Sequence, residues 1–108
     1  METADLTISM SGDCLTLWIK GEIDHHSARP IREQMDAALL LNRPSRLVMR
    51  LEGMHFMDSA GLGLILGRVA TAKELGVRVV VEGADPRALR IMEMAGMLTR
   101  SDVTVKIG

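Results

Sequence analysis

The sequence predicts an α/β fold: a mixed, mainly parallel sheet of about five strands with helices packed on it, in the order ββαβαβαβ. Three observations carry this. Two alternating segments near the N-terminus are separated only by Ser11-Gly12-Asp13, which reads as an antiparallel hairpin. After them, strand-like and helix-like periodicities alternate, and strands joined by single helices form right-handed parallel crossovers. At 108 residues, with 47% hydrophobic and 25% charged residues, residues 1–108 suit one globular domain with a real core.

The elements follow in order. Leu6, Ile8 and Met10 alternate with Thr7 and Ser9, and Leu15, Leu17 and Ile19 continue that period across the turn, as in half-buried strands. Gly21 closes the second strand, and Glu22 to His26 read as a loop. Ser27 is the expected N-cap of a first helix, with Pro30 in its first turn. Ile31, Met35, Ala38 and Leu39 form its apolar face. Asn42-Arg43-Pro44 stops it, with Asn42 suited to the left-handed cap. Arg46 to Leu51 reads as a short buried strand. A second helix starts near Ser59, with Leu62, Ile65, Leu66, Val69 and Ala72 as its stripe and Gly76 as its end. Val77 to Val81 is β-branched and continuous. Asp85-Pro86 combines an N-cap with Pro at the first helical position. Leu89, Ile91, Met92 and Met94 fill the third helix, and Gly96 stops it. Val103, Val105 and Ile107 suggest a last strand. The nine methionines read as core filler.

Composition narrows the function. A net charge of −1 without a block of like charge leaves no electrostatic footprint for nucleic acid or an anionic membrane. Trp18 and Phe56 are the only aromatic residues, too few for base stacking. Cys14 is the only cysteine, which excludes an intrachain disulfide and a cysteine metal cluster. No N-terminal segment has the pattern of a signal peptide, and no apolar run approaches the ~20 residues of a membrane helix. These features point to a cytoplasmic protein with no cofactor.

The most informative stretch is Met57-Asp58-Ser59-Ala60-Gly61-Leu62-Gly63. It sets one hydroxyl where a strand pattern gives way to a helix pattern. Serine there can cap the helix, and a phosphoryl group on it would add roughly two negative charges. Other readings fail on particular residues. The nucleophile elbow G-x-S-x-G requires Gly where Met57 stands. The dinucleotide fingerprint requires a third Gly where Leu66 stands, and no G-K-S/T follows for a P-loop. His25 and His26, adjacent in a strand-like stretch, would point to opposite sides, so a metal site with His55 lacks recognisable ligand spacing. No catalytic or metal-ligating set is therefore assigned. Asp24 and Asp58 each lie between a strand and the following helix. If those strands are neighbours, both acids share one rim around Ser59, where they would repel phosphate in the resting domain and help position a kinase or its Mg²⁺.

Gly21-Glu22-Ile23-Asp24-His25-His26-Ser27-Ala28 and Phe56-Met57-Asp58-Ser59-Ala60-Gly61-Leu62-Gly63, followed by Ile65-Leu66-Gly67-Arg68, resemble the two signature blocks of STAS-domain anti-sigma factor antagonists, most closely the sporulation branch. The resemblance extends over nearly the whole chain and implies the STAS fold. It also implies partner switching in bacteria, in sporulation or stress response. The unphosphorylated antagonist binds an anti-sigma factor serine kinase and releases the sigma factor. Phosphorylation, here at Ser59, ends binding, and a serine phosphatase resets the protein. The chain would be a regulator, not an enzyme. Asp24, Asp58 and Gly61 would surround the phosphorylated serine, and Leu62, Gly63 and Leu66 are candidates for the partner surface, with Leu62 and Leu66 equally readable as core. An alternative within the family is an adaptor subunit of a membrane transporter, of the lipid-exporting ABC or anion transporter type. The chain departs from the family in three places. Ala60 stands where a second hydroxyl is frequent. Arg50 replaces the usual Asn or Asp of the third strand, for no reason the sequence reveals. Relatives often continue into a final helix beyond the position of Gly108.

Overall fold

A computed structural model of the protein describes residues 4–56 and 58–107, apart from the side chains of residues 55 and 56. The chain forms β1 (Asp5–Ser11), β2 (Cys14–Glu22), α1 (His25–Asn42), β3 (Arg46–Phe56), α2 (Ser59–Glu74), β4 (Arg78–Glu82), α3 (Pro86–Met94), a 3₁₀ turn (Met97–Thr99) and β5 (Thr104–Val105). The sheet runs β1-β2-β3-β4-β5, with β1 antiparallel to β2 and every later pair parallel. This is the mixed, mainly parallel five-stranded sheet expected. Strand order follows chain order without a reversal. Right-handed crossovers that all step the same way place α1, α2 and α3 on one face.

That face holds the core. Leu15, Leu17 and Ile19 of β2, Leu47, Met49 and Leu51 of β3, and Val79 and Val81 of β4 point into it and are buried. Ile31, Met35 and Leu39 of α1, Ile65, Val69 and Ala72 of α2, and Met92 of α3 close over them. Each large side chain fully removed from water contributes roughly 1.5–3 kcal/mol. Met35, Met49, Met54, Met92 and Met97 are in this core, the filler role expected of them, whereas Met94 lies on the exposed side of α3.

Among the described residues the other face carries no helix and is closed by charge. The indole of Trp18 lies between the ammonium of Lys20, 4.4 Å from the ring centroid, and the guanidinium of Arg50, 4.6 Å away. Trp18 and Arg50 are partners in the β2–β3 register. Arg50 also contacts Glu52 at 2.7 Å and Glu82 at 3.6 Å, and Glu82 reaches Lys106 at 3.9 Å. Arg50 thus has a physical account: its planar cation covers an aromatic face and gathers two acids.

Several boundaries differ from expectation. The α1 cap is Asp24, not Ser27, and the helix absorbs His25 and His26. Pro30 consequently lies in the second turn, where it removes a hydrogen bond. The left-handed residue after α1 is Arg43 (φ 44°). Asn42 instead donates its side-chain amide to the Ala38 carbonyl, 2.8 Å away. β3 extends to Phe56, because Lys20, Gly21 and Glu22 keep pairing with it across two register shifts. β5 is only two residues long, and Ile107 is exposed.

Candidate functional site

β2 and β3 are parallel neighbours, so the connections leaving their carboxyl ends emerge side by side. Each ends in an aspartate with extended backbone that caps the next helix. Asp24 has φ −123° and ψ −174°, and Asp58 has φ −118° and ψ −162°. The shared rim expected for these two acids is therefore present. Register shifts in β2–β3 fall just before it, between Trp18 and Lys20 and between Gly21 and Glu22. Such irregularities re-aim chain ends next to functional sites.

The carboxylates are engaged. Asp24 Oδ1 accepts the N–H groups of His26 and Ser27, both at 2.9 Å, and the Ser27 hydroxyl at 3.1 Å. The Asp24 N–H donates to Ser27 Oγ at 2.9 Å, completing a capping box. These bonds, led by the one from the Ser27 N–H, hold the Asp24 carboxyl below its ordinary value. Asp58 Oδ1 accepts the N–H groups of Ala60 at 2.8 Å and Gly61 at 3.2 Å. Asp58, rather than Ser59, is the cap of α2.

Ser59 is the first helical residue and is exposed. Among the described residues its hydroxyl makes no hydrogen bond. The glycines after it lie within the helix rather than in a loop. Gly61 is buried and donates to the cap, whereas Gly63 is exposed, and a Cβ built on Gly63 would meet nothing within 4 Å. Leu62 and Leu66 are half-buried and pack against the core. Ser59, Gly63 and Gly67 follow one another at i, i+4 spacing, so a narrow, low ridge runs from the serine along α2.

His25 and His26 open α1 and are both exposed. Met57 and the His55 side chain, which entered the elbow and metal readings, lie outside the described residues. Among the described residues no three His, Cys, Asp or Glu side chains converge as metal ligands do, and no helix is long and apolar enough to cross a membrane.

Sequence reasoning missed Arg68. It lies on the core side of α2, only 5% exposed, with Nε 2.9 Å from Asp36 Oδ1 on α1. The pair is close, but its angles fall short of a hydrogen bond, and Nη1 has no partner among the described residues. Burial pushes the Arg68 pKa down while Asp36 opposes that shift.

The chain is a mixed α/β domain with an exposed serine at the first position of an aspartate-capped helix. The chain belongs to the STAS domain family, whose family model matches residues 6–105. It is 36% identical over 83 residues to an anti-sigma F factor antagonist of Paenibacillus polymyxa, covering 77% of this chain and 71% of that protein. It is 31% identical over 88 residues to the anti-sigma-B factor antagonist of Bacillus subtilis, covering 82% and 79%. Its fold is similar to the unphosphorylated form of the anti-sigma factor antagonist SpoIIAA, with a TM-score of 0.78, 22% identity, and coverage of 95% and 89%. It is also similar to a putative anti-sigma factor antagonist from Thermotoga maritima, with a TM-score of 0.83, 16% identity, and coverage of 95% and 86%.

Proposed function

We propose that this protein is an anti-sigma factor antagonist switched at Ser59. The unphosphorylated form binds an anti-sigma factor that is also a serine kinase, and the sigma factor is released. Transfer of phosphate to Ser59 ends the interaction, and a serine phosphatase restores it. The observation that carries this reading is the exposed Ser59 at the first position of α2, whose hydroxyl makes no hydrogen bond among the described residues. SpoIIAA, whose fold this chain shares, is known in both unphosphorylated and phosphorylated forms.

The local geometry supplies a reason for the switch. A phosphorylated serine brings roughly two negative charges. The helix N–H groups that would receive them are already taken: Ala60 and Gly61 donate to Asp58. The new charge is thus neighbour to a carboxylate and is turned toward solvent or partner. A dianion left unpaired in a packed interface costs several kcal/mol, roughly a hundredfold or more in affinity. Leu62, Gly63 and Leu66 line the adjoining part of α2 and form the surface assigned to the partner. Asp24, Asp58 and Gly61 surround the acceptor. Ala60 offers no second hydroxyl, so Ser59 is the single acceptor within the motif.

The test pairs the protein with its cognate kinase and ATP and maps the modified residue by mass spectrometry. Ser59→Asp should lose binding by roughly a hundredfold with an unchanged circular dichroism spectrum. Ser59→Ala should bind and accept no phosphate. Undiminished binding by Ser59→Asp, or phosphate on another residue, overturns the proposal.

A further inference from the structure

A cavity of about 500 Å³ opens where β3 and β4 begin, at the opposite end of β3 from the Ser59 rim. Small-molecule sites span roughly 300–1,000 Å³. Its walls come from the first residues of β3 and β4, the end of α2 and the segment leading into β5. The short β5 leaves room for it. Pairing of β4 with β5 starts only at Val80 and Thr104, so Arg78 and Val79 border a gap on that side instead of a strand.

The cavity is cationic, and its charges are not balanced. Arg46, Lys73 and Arg78 line it, and Asp102 is the one acid in the lining. Both carboxylate oxygens of Asp102 already accept from Arg100, at 2.8 and 2.7 Å. Among the described residues none of the three lining cations forms an ion pair. Arg46 and Arg78 are register partners on adjacent strands, so they leave the sheet on the same face from backbones about 4.8 Å apart. Like charges set opposite one another destabilise a sheet. The same two strands avoid this further along, where Arg50 stands opposite Glu82 at 3.6 Å. At their amino ends the neighbouring strands supply no acid. The β2 partner of Arg46 is Cys14, and β5 does not reach Arg78.

The lining also specifies the chemistry that would balance it. Two guanidinium forks and an ammonium match the oxygens of a phosphate group. Ser101 and Thr104 add hydroxyls that can donate to it. Valines, among them the buried Val77 and Val103, form the apolar part of the wall. They suit a ligand that has a carbon body beyond its phosphate.

We propose that this cavity binds a small organic phosphate, with its phosphate oxygens held by Arg46, Arg78 and Lys73 and its apolar body against the valines. The site shares no residue with the Ser59 rim and stands whether or not that serine is a switch.

Phenyl phosphate titrated into the ¹⁵N-labelled protein, followed by amide chemical shifts, tests it. Saturable shifts should cluster at residues 46, 73–80 and 101–104. Arg46→Gln and Arg78→Gln should each weaken binding about tenfold or more, with amide spectra that show an intact fold. Arg87→Gln, at an exposed position on α3 outside the cavity, should leave binding unchanged. Inorganic phosphate should shift the same residues but bind more weakly, because it leaves the valines uncovered. Absence of saturable shifts overturns the proposal. So do shifts centred on residues 24–27 and 58–61, which place the anion at the Ser59 rim instead. A loss for Arg87→Gln equal to that for Arg78→Gln overturns it too, since it marks general screening of surface charge. Phenyl phosphate binding no tighter than inorganic phosphate removes the organic ligand and has the same force.

Discussion

Arg68 and Asp36 set the terms at the scale of single residues. The arginine is almost wholly withdrawn from water, and its one counter-charge is an aspartate that is itself 35% exposed. A buried pair of this kind yields little net stability while intact, because desolvation offsets attraction. Removing one partner is different. Asp36→Ala should destabilise the protein by about 2–3 kcal/mol, at or below the low end for a buried pair because Asp36 is partly hydrated. Arg68→Met, which fills the same space without charge, should be neutral or stabilising. Urea denaturation of the two variants checks the asymmetry, and equal losses would contradict it. No periodicity marked this pair in the sequence. Thirty-two positions separate the partners, and an arginine on a helix face reads as solvated until a neighbouring helix closes over it. Arg50 was equally opaque, since its partners Trp18 and Glu82 lie on two other strands.

At the scale of elements, all three helices begin on an aspartate cap: Asp24, Asp58 and Asp85. The Asp85-Pro86 start was legible outright. The start of α1 was displaced because Asp24 and Ser27 are both good caps three residues apart and bond to each other reciprocally. Only the backbone settles which of them lies outside the helix. The strand ends had a similar difficulty. Glu52-Gly53 interrupts the apolar pattern, but hydrogen bonding to β2 carries β3 past it. The Asp58–Ser59 junction itself was well placed, although the cap turned out to be the acid. Gly63 yields the prediction at this scale. A glycine inside an exposed helix costs up to about 1 kcal/mol relative to alanine, and nothing near Gly63 obstructs a methyl group. Gly63→Ala should therefore raise stability by about 0.5–1 kcal/mol and weaken binding to the anti-sigma factor. A thermal melt and an affinity measurement on the same variant test both halves. Unimpaired binding would remove Gly63 from the contact surface.

Across the whole molecule the expected ββαβαβαβ order and the mixed sheet are present, because alternation and helical spacing report burial directly. The length of β5 was overestimated, since alternating Val103, Val105 and Ile107 look alike in sequence whether or not a neighbouring strand reaches them. The carboxylates also give the molecule a definite response to acid. The Arg100 guanidinium grips Asp102 at 2.7 and 2.8 Å and lowers its pKa to about 2, and Asp24 is lowered by its capping bonds. Both groups are more acidic folded than unfolded. Their stabilisation is complete above the unfolded carboxylate value near 4 and is lost as pH falls through the folded values, toward 2 for Asp102. Stability measured by denaturant titration should be flat above pH 5 and fall between pH 4 and 2. Asp102→Asn should flatten part of that fall, and an unaltered acid limb would contradict the assignment.

The one-way order of strands has a consequence for how the protein is made. Every strand joins the sheet beside the strand synthesised just before it. The β1–β2 hairpin can form as soon as both strands have left the ribosome, and each later helix–strand unit docks on a finished edge. No early segment waits for a distant late one, which keeps loop-closure costs small and limits exposure of unpaired apolar surface. The strand order thus allows the growing chain to be assembled in the order in which it is read, from β1 toward β5.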